Sequence, residues 1–331
     1  MSSDAAIGAP DVRGREAEHP HQVPAKGWWD VAMRTKVEAK DDRVTLLSAG
    51  VAFYALLALV PALVALVSIY GLVADPSEVD EQVRDLLGAA PSEVREMISS
   101  QLSSITEEGS TGLGWAVVIG IVVALWSASS GVNNLIVAIN AAYDEDDTRG
   151  FVKRRGLALL LTIGAIVFLV VAFAVIALLP SMLADTGVGD AGRLAAGVLR
   201  WVLLFAGMLV ALAILYRYSP DRDEPRWSWV TPGAILATVL WLVGSALFAF
   251  YAANFGKYNE TYGSLGAVVV VMLWLFLTAL AVILGAELNA ELERQTARDT
   301  TKGPEVEMGE RRATAADTLG PTAEELRTSR S

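Results

Sequence analysis

The residues best suited to do chemistry in this chain are polar side chains set inside long apolar stretches. Ser127, Ser130, Gly131, Asn133 and Asn134 interrupt the uncharged window Gly109–Tyr143. On a helix, Ser127, Ser130, Gly131 and Asn134 fall on one stripe, while Asn133 points elsewhere. Such a stripe offers hydroxyl and amide hydrogen bonds without charge. It suits either close helix packing, with Ser and Asn bonding across the seam, or the lining of a polar path through a membrane. Both readings stay open at this level. Glu287 and Glu291 lie one helical turn apart directly after the uncharged window Thr261–Ala286, with Arg294 on the same face. A carboxylate at the end of such a run either pairs with a base or holds a proton. The candidate basic partners are the Lys153–Arg155 run and Arg217, giving a cytoplasmic charge cluster of Glu287, Glu291 and Arg217. Pro61 sits within the window Val44–Ala74 and removes one backbone hydrogen bond, so a kink or break is expected there, and Pro61 is the candidate hinge.

Other chemistries lack their residues. There is no cysteine, and the two histidines, His19 and His21, lie in a polar N-terminal stretch. That removes thiolate nucleophiles, disulfides and a histidine-rich metal centre. No Ser–His pair, phosphate loop or dinucleotide fingerprint occurs, and most acids fall in the tails or in the loop Asp75–Glu108. No catalytic residue, metal or cofactor is expected, and the chain does not read as an enzyme. A net charge of −11 argues against a nucleic-acid partner, which calls for a basic surface. Membrane lipids are the expected partners; self-association and the identity of a small-molecule or lipid substrate are left open.

The elements that must position these groups are long helices. Uncharged windows cover Val44–Ala74, Gly109–Tyr143, Gly156–Ala184, Trp201–Tyr216, Trp227–Gly256 and Thr261–Ala286. About 20 apolar helical residues cross the roughly 30 Å hydrocarbon core of a bilayer. Five windows exceed that length, and the fourth reaches it once Leu194–Leu199 is added, with Arg200 free to snorkel. The fold class is therefore all-α, a polytopic membrane bundle of six transmembrane helices. The spans are expected at 46–73, 113–140, 157–184, 194–217, 229–253 and 263–289, within a membrane domain at 27–295. Hydrophobic residues make up 53% of the chain and charged residues 19%, with a mean hydropathy of +0.45, which agrees.

Residues 1–26 and 296–331, rich in Ala, Gly, Pro and charge, read as disordered tails, and the first carries no apolar signal segment. Gly27–Arg43, with Trp28 and Trp29, reads as a short interfacial helix. In the loop Asp75–Glu108 the phrase Pro-Ser-Glu-Val occurs at Pro76–Val79 and again at Pro91–Val94, each followed by apolar residues at helical spacing. Two short amphipathic helices are expected there. Lys and Arg sort by side. Arg34, Lys36, Lys40 and Arg43, then Arg149 with Lys153–Arg155, then Arg217, Arg222 and Arg226, then Arg294, Arg298 and Lys302 lie at one side; few basic residues lie at the other. The positive-inside rule places both termini in the cytoplasm.

Several motifs in order resemble the YihY/BrkB membrane proteins, once labelled ribonuclease BN. They are Ala52-Phe53-Tyr54-Ala55 leading to Pro61; Trp126, Gly131, Asn133-Asn134 and Tyr143; Tyr216-Arg217-Tyr218-Ser219-Pro220; and Tyr262–Ala267 followed by Trp274 and Leu284–Asn289. The resemblance runs from about Arg34 to Arg294. It implies a six-span protein of the bacterial plasma (inner) membrane, engaged in lipid or small-molecule transport and envelope maintenance, with no catalytic residue to carry over. The alternative is a non-transporting membrane scaffold or partner-binding envelope protein.

Overall fold

The computed structural model describes residues 11–71, 114–184, 190–254 and 264–329. The expected helices of the loop Asp75–Glu108 lie outside these residues. The described chain forms α1 (Ala25–Asp41), α2 (Val44–Gly71), α3 (Gly114–Ala142), α4 (Phe151–Ala184), α5 (Asp190–Tyr218), α6 (Trp227–Asn254), α7 (Ser264–Glu293) and two short helices, α8 (Thr314–Asp317) and α9 (Ala323–Ser329). Among the described residues, extended pairing is limited to one isolated bridge, Pro225 with Thr301.

Helix is the one local answer for such runs, because a bilayer offers no water to backbone N–H and C=O groups. Five helices are long and apolar enough to cross a membrane, and the bent pair of α1 with the start of α2 brings the number to six. The bend, 62°, lies between Asp41 and Val44. Arg43 there adopts φ 54°, and Asp144 adopts φ 53° just after α3; single left-handed residues of this kind end a helix and turn the chain. α2 runs through Pro61 as one helix, so the sharp corner is at its start.

The spanning helices form a ring in chain order. α2 packs on α3, α3 on α4, α4 on α5, α5 on α6 and α6 on α7, and α7 closes the ring against α2. The tightest crossing is between α6 and α7. A Cβ at Gly233 would run into the Gly285 carbonyl oxygen and the Asn289 side chain, and a Cβ at Gly285 into the Tyr216 hydroxyl. Asn289 bonds both ways across the crossing: its Oδ1 accepts from Gly233 N at 2.7 Å and its Nδ2 donates to Val230 O at 3.1 Å. Tyr216 of α5 donates to Val282 O at 2.8 Å. A core of Val51, Ile139, Tyr216, Ala234, Ile283 and Ala286 surrounds this point.

Among the described residues, burial is concentrated at one end. Both termini lie at one end of the bundle, where Arg13 pairs with Glu324 and the Ala323 amide donates to Asp30. Near that end the helices bury Ile139, Tyr216, Ala234 and Ile283; towards the other end, large residues such as Leu247 (64% exposed), Phe250 (72%) and Trp201 (62%) are open.

The tails read as disordered are packed in the described residues. Gln295 Nε2 donates to Arg13 O, Ala297 N to Arg15 O and Thr296 Oγ1 to Ala17 O, each at 2.7 Å. Arg226 N reaches Thr300 O at 2.9 Å, and Thr314 N donates to Glu145 at 2.7 Å. Tail composition favours disorder only while the tail has nothing to bind. Here the helix ends present buried charges and open backbone groups, and the tails supply their hydrogen bonds.

Gly285→Leu is expected to lower the thermal midpoint of the detergent-solubilised protein sharply, with an overpacking penalty of about 1–3 kcal/mol or more. Gly164→Ala, at a site where a new Cβ meets nothing within 4 Å, should leave it nearly unchanged. A tolerated Gly285→Leu would refute the close crossing.

Candidate functional site

The chemistry-bearing side chains gather at the terminal end of the ring. Arg34 of α1 is fully buried between α1, α7 and the C-terminal segment. Its guanidinium donates to the Glu291 carboxylate, to Glu291 O at 2.7 Å, to Gln295 Oε1 at 2.9 Å and to Pro321 O at 2.9 Å. Glu291 also takes Arg294 at 2.7 Å. The side chains of Arg222 and Glu293 are both fully enclosed and paired at 2.6 Å, and Thr300 Oγ1 donates to Glu293 at 2.6 Å. Arg34–Glu291 and Arg222–Glu293 are buried pairs whose desolvation cost is offset only because nearly every N–H and lone pair finds a partner.

Glu287 differs. It is 1% exposed, and one of its oxygens, Oε1, has no hydrogen-bond partner among the described residues. Its neighbour is a second acid, Asp42, at the α1–α2 corner, joined to it by a side-chain hydrogen bond. Glu38, Asp144 and Glu291 stand around this pair. Burial, then the negative charge of Asp144, pushes the Asp42 carboxyl above the usual carboxylate range, while the bond to Glu287 pulls the other way.

This corrects the expected charge cluster. Arg217 does not meet Glu287 or Glu291. It pairs with Glu224 at 2.8 Å, donates to Pro225 O, and lies over the Trp227 ring at 4.6 Å. Arg155 turns away as well, towards Trp126 on α3. The reason is reach: α5 ends facing its own turn to α6, so Arg217 pairs with Glu224, and the bases that serve α7 are Arg34 of α1, Arg222 of the α5–α6 turn and Arg294 just after α7 itself. Arg34 and Asp42 look like ordinary juxtamembrane charge in sequence, and no local pattern marks them. Asn289 carried a signal, an amide directly after an apolar run.

The polar stripe of α3 lies on two seams. Gly131 is buried against α2, where an added Cβ would press on Ala55 and Ala58. Asn134 Nδ2 donates to Ser130 O of its own helix at 2.9 Å. Ser127, Ser130 and Asn133 are half-buried, and Ser130 Oγ is 3.4 Å from Arg155. A cavity of about 160 Å³ opens elsewhere, between α6 and α7, lined by Leu240, Trp241, Gly244, Ser245, Thr278 and Leu284 among others. Its polar groups are tied to each other: Trp241 Nε1 donates to Thr278 at 3.2 Å and Trp274 Nε1 to Ser245 at 3.3 Å. Apolar walls of this size admit a short hydrocarbon segment, since an engineered apolar cavity of about 150 Å³ takes up benzene. Among the described residues, no three His, Cys, Asp or Glu side chains are arranged to hold a metal ion.

A family profile described as "Virulence factor BrkB" matches residues 35–309. The chain is 31% identical over 256 residues to a ribonuclease-like protein, YfkH, of Bacillus subtilis, covering 75% of this chain and 90% of that one. It is 25% identical over 299 residues to a UPF0761 membrane protein of Pseudoalteromonas translucida, covering 88% and 93%. No solved structure matches it.

The raised Asp42 carboxyl sets a pH dependence. The folded state holds the Asp42 proton more tightly than the unfolded chain does. Its contribution is therefore complete at pH below the ordinary aspartate value of 3.8 and is lost as pH rises through the raised value. Asp11, Asp147 and Asp299, held below their ordinary value, slope the other way in both proteins alike, so the thermal midpoint of Asp42→Asn in detergent should gain on that of the wild type as pH rises across that window. An unchanged slope in Asp42→Asn would remove Asp42 as a source of pH dependence.

Proposed function

This chain belongs to the BrkB family of membrane proteins, and from that premise we propose that it translocates a lipid or lipid-like amphiphile across the bacterial inner membrane, with both termini in the cytoplasm. The observation that carries the reading is the one-ended packing of the ring together with the apolar cavity beside it. A bundle sealed at its terminal end by buried ion pairs and loosened towards the other has the form of a path gated on one side. Leu240, Leu280, Ala281 and Leu284 beside Trp241, Ser245 and Thr278 favour an acyl segment over an ion or a sugar. Glu287 with Asp42, at the α1–α2 corner, is the gate in this reading, and Pro61 is the place in α2 where the helix gives.

A second reading, a non-transporting scaffold of the envelope, is favoured by one observation. The stripe residues Gly131 and Asn134 are engaged in packing and in their own helix, and none of the stripe lines the cavity. The name of the Bacillus relative raises nuclease activity; the absence of cysteine and the placement of both histidines in the N-terminal stretch favour a non-catalytic role instead.

Reconstituted into vesicles bearing a headgroup-labelled fluorescent phospholipid, the full chain should expose inner-leaflet probe to a membrane-impermeant quencher. The same preparation should leave RNA intact. Gly244→Phe, at a cavity-lining position where a Cβ meets nothing within 4 Å, should block the exposure without loss of thermal stability. Quenching confined to the outer leaflet for the wild type would favour the scaffold.

For the orientation, the basic-residue asymmetry motivates one measurement in this cysteine-free chain. Leu319→Cys, exposed at the terminal end, should react with an impermeant thiol reagent only after the cells are permeabilised. Labelling in intact cells would invert the topology.

A further inference from the structure

We propose that the seam between α3 and α4 binds the phosphate of a membrane phospholipid, held by Arg155 beside Trp126. Five other arginines of the helical core and its loops have a carboxylate: Arg34 with Glu291, Arg149 with Asp147, Arg217 with Glu224, Arg222 with Glu293 and Arg294 with Glu291. Arg155 has none among the described residues. Its guanidinium lies over the Trp126 ring at 4.3 Å, donates to Trp126 O, and approaches Ser130 Oγ at 3.4 Å. Its Nε is shut off from solvent and has no acceptor. A guanidinium has five N–H donors in a planar fork, and this one leaves donors unanswered at the membrane boundary. An unpaired cation there is costly unless something anionic arrives.

The surroundings point to a phospholipid. Arg155 follows Lys153 and Arg154 in the first turns of α4, where no acidic residue occurs and where the exposed helix amides add partial positive charge. The rim is apolar and open: Phe151 is 64%, Val152 81% and Trp126 46% exposed, and the Phe151 and Trp126 rings lie 6.3 Å apart. A soluble anion gains nothing from that rim, whereas a phospholipid sets its glycerol and upper acyl carbons against it while its phosphate meets the fork. Basic pockets between spanning helices take phospholipid headgroups on this physical basis. Arg is suited to a phosphate because two of its N–H groups meet two phosphate oxygens. The site is separate from the α6–α7 cavity and stands whether or not the chain moves lipid.

The test uses the full chain in detergent, titrated with phosphatidylglycerol, with a diacylglycerol of the same acyl chains, and with inorganic phosphate, and read by native mass spectrometry. The wild type should retain phosphatidylglycerol and neither of the others. Arg155→Gln should weaken phosphatidylglycerol about tenfold, as expected for one charge-assisted hydrogen-bonding group, and Arg155→Lys should restore part of the binding. Equal retention by a folded Arg155→Gln overturns the proposal. Retention of diacylglycerol as strong as that of phosphatidylglycerol overturns the phosphate contact, and equally strong retention of inorganic phosphate overturns the lipid. Should Arg155→Gln fail to fold, the wild type's ranking of the three probes decides the matter in the same way.

Discussion

The whole arrangement hangs on how closely α6 and α7 approach at Gly233 and Gly285. In a bilayer the apolar surface of a helix is as well solvated by lipid as by another helix, so association rests on van der Waals packing and on hydrogen bonds between helices. Two glycines facing each other let the backbones come near enough for Asn289 to bond the α6 chain at two points. The same gap admits the Tyr216 hydroxyl, which ties α5 to Val282 of α7. Three helices are thereby locked at one level, and the core residues around that level complete the seal. Farther along the same pair, Trp241 with Thr278 and Trp274 with Ser245 bridge the two helices beside the cavity between α6 and α7.

A second constraint acts where helices meet water. The end of α7 carries Glu287, Glu291 and Glu293, all buried. A buried carboxylate without a partner is strongly destabilising, so each must be answered. Arg34 and Arg294 answer Glu291, and Arg222 with Thr300 answers Glu293. Glu287 alone faces another acid, Asp42, at the α1–α2 corner. Because Arg34 also needs acceptors, Pro321 and Gln295 are drawn in, and the segments on either side of the membrane domain fold onto its end. Polar tails thus become structure through the hydrogen-bond demand of charges inside the bundle, with little apolar surface of their own.

Much of this was legible before any fold was known, and the failures have a common cause. The spans, their all-helical state and the family followed from apolar run length and motif order, which are local properties of the chain. The two glutamates were visible as charged residues at the end of an apolar run. The partner assigned to the glutamates was wrong, because Arg217 and Lys153–Arg155 are near in the chain's inventory of bases but not in space. Likewise the α3 stripe is visible as a stripe, while its division between the α2 seam at Gly131 and the α4 seam at Ser130 depends on which neighbour stands on each side.

What the sequence determined by itself is the class of object. A backbone in hydrocarbon must satisfy its own hydrogen bonds, so apolar runs of this length become spanning helices whatever their neighbours do. What only the tertiary structure decided is which charges meet: Arg34 with Glu291, Arg222 with Glu293, Asp42 beside Glu287, and Arg155 with no acid among the described residues. Such pairings depend on the distance and mutual rotation of helices far apart in the chain, because a hydrogen bond forms only when donor and acceptor come within about 3 Å and in line.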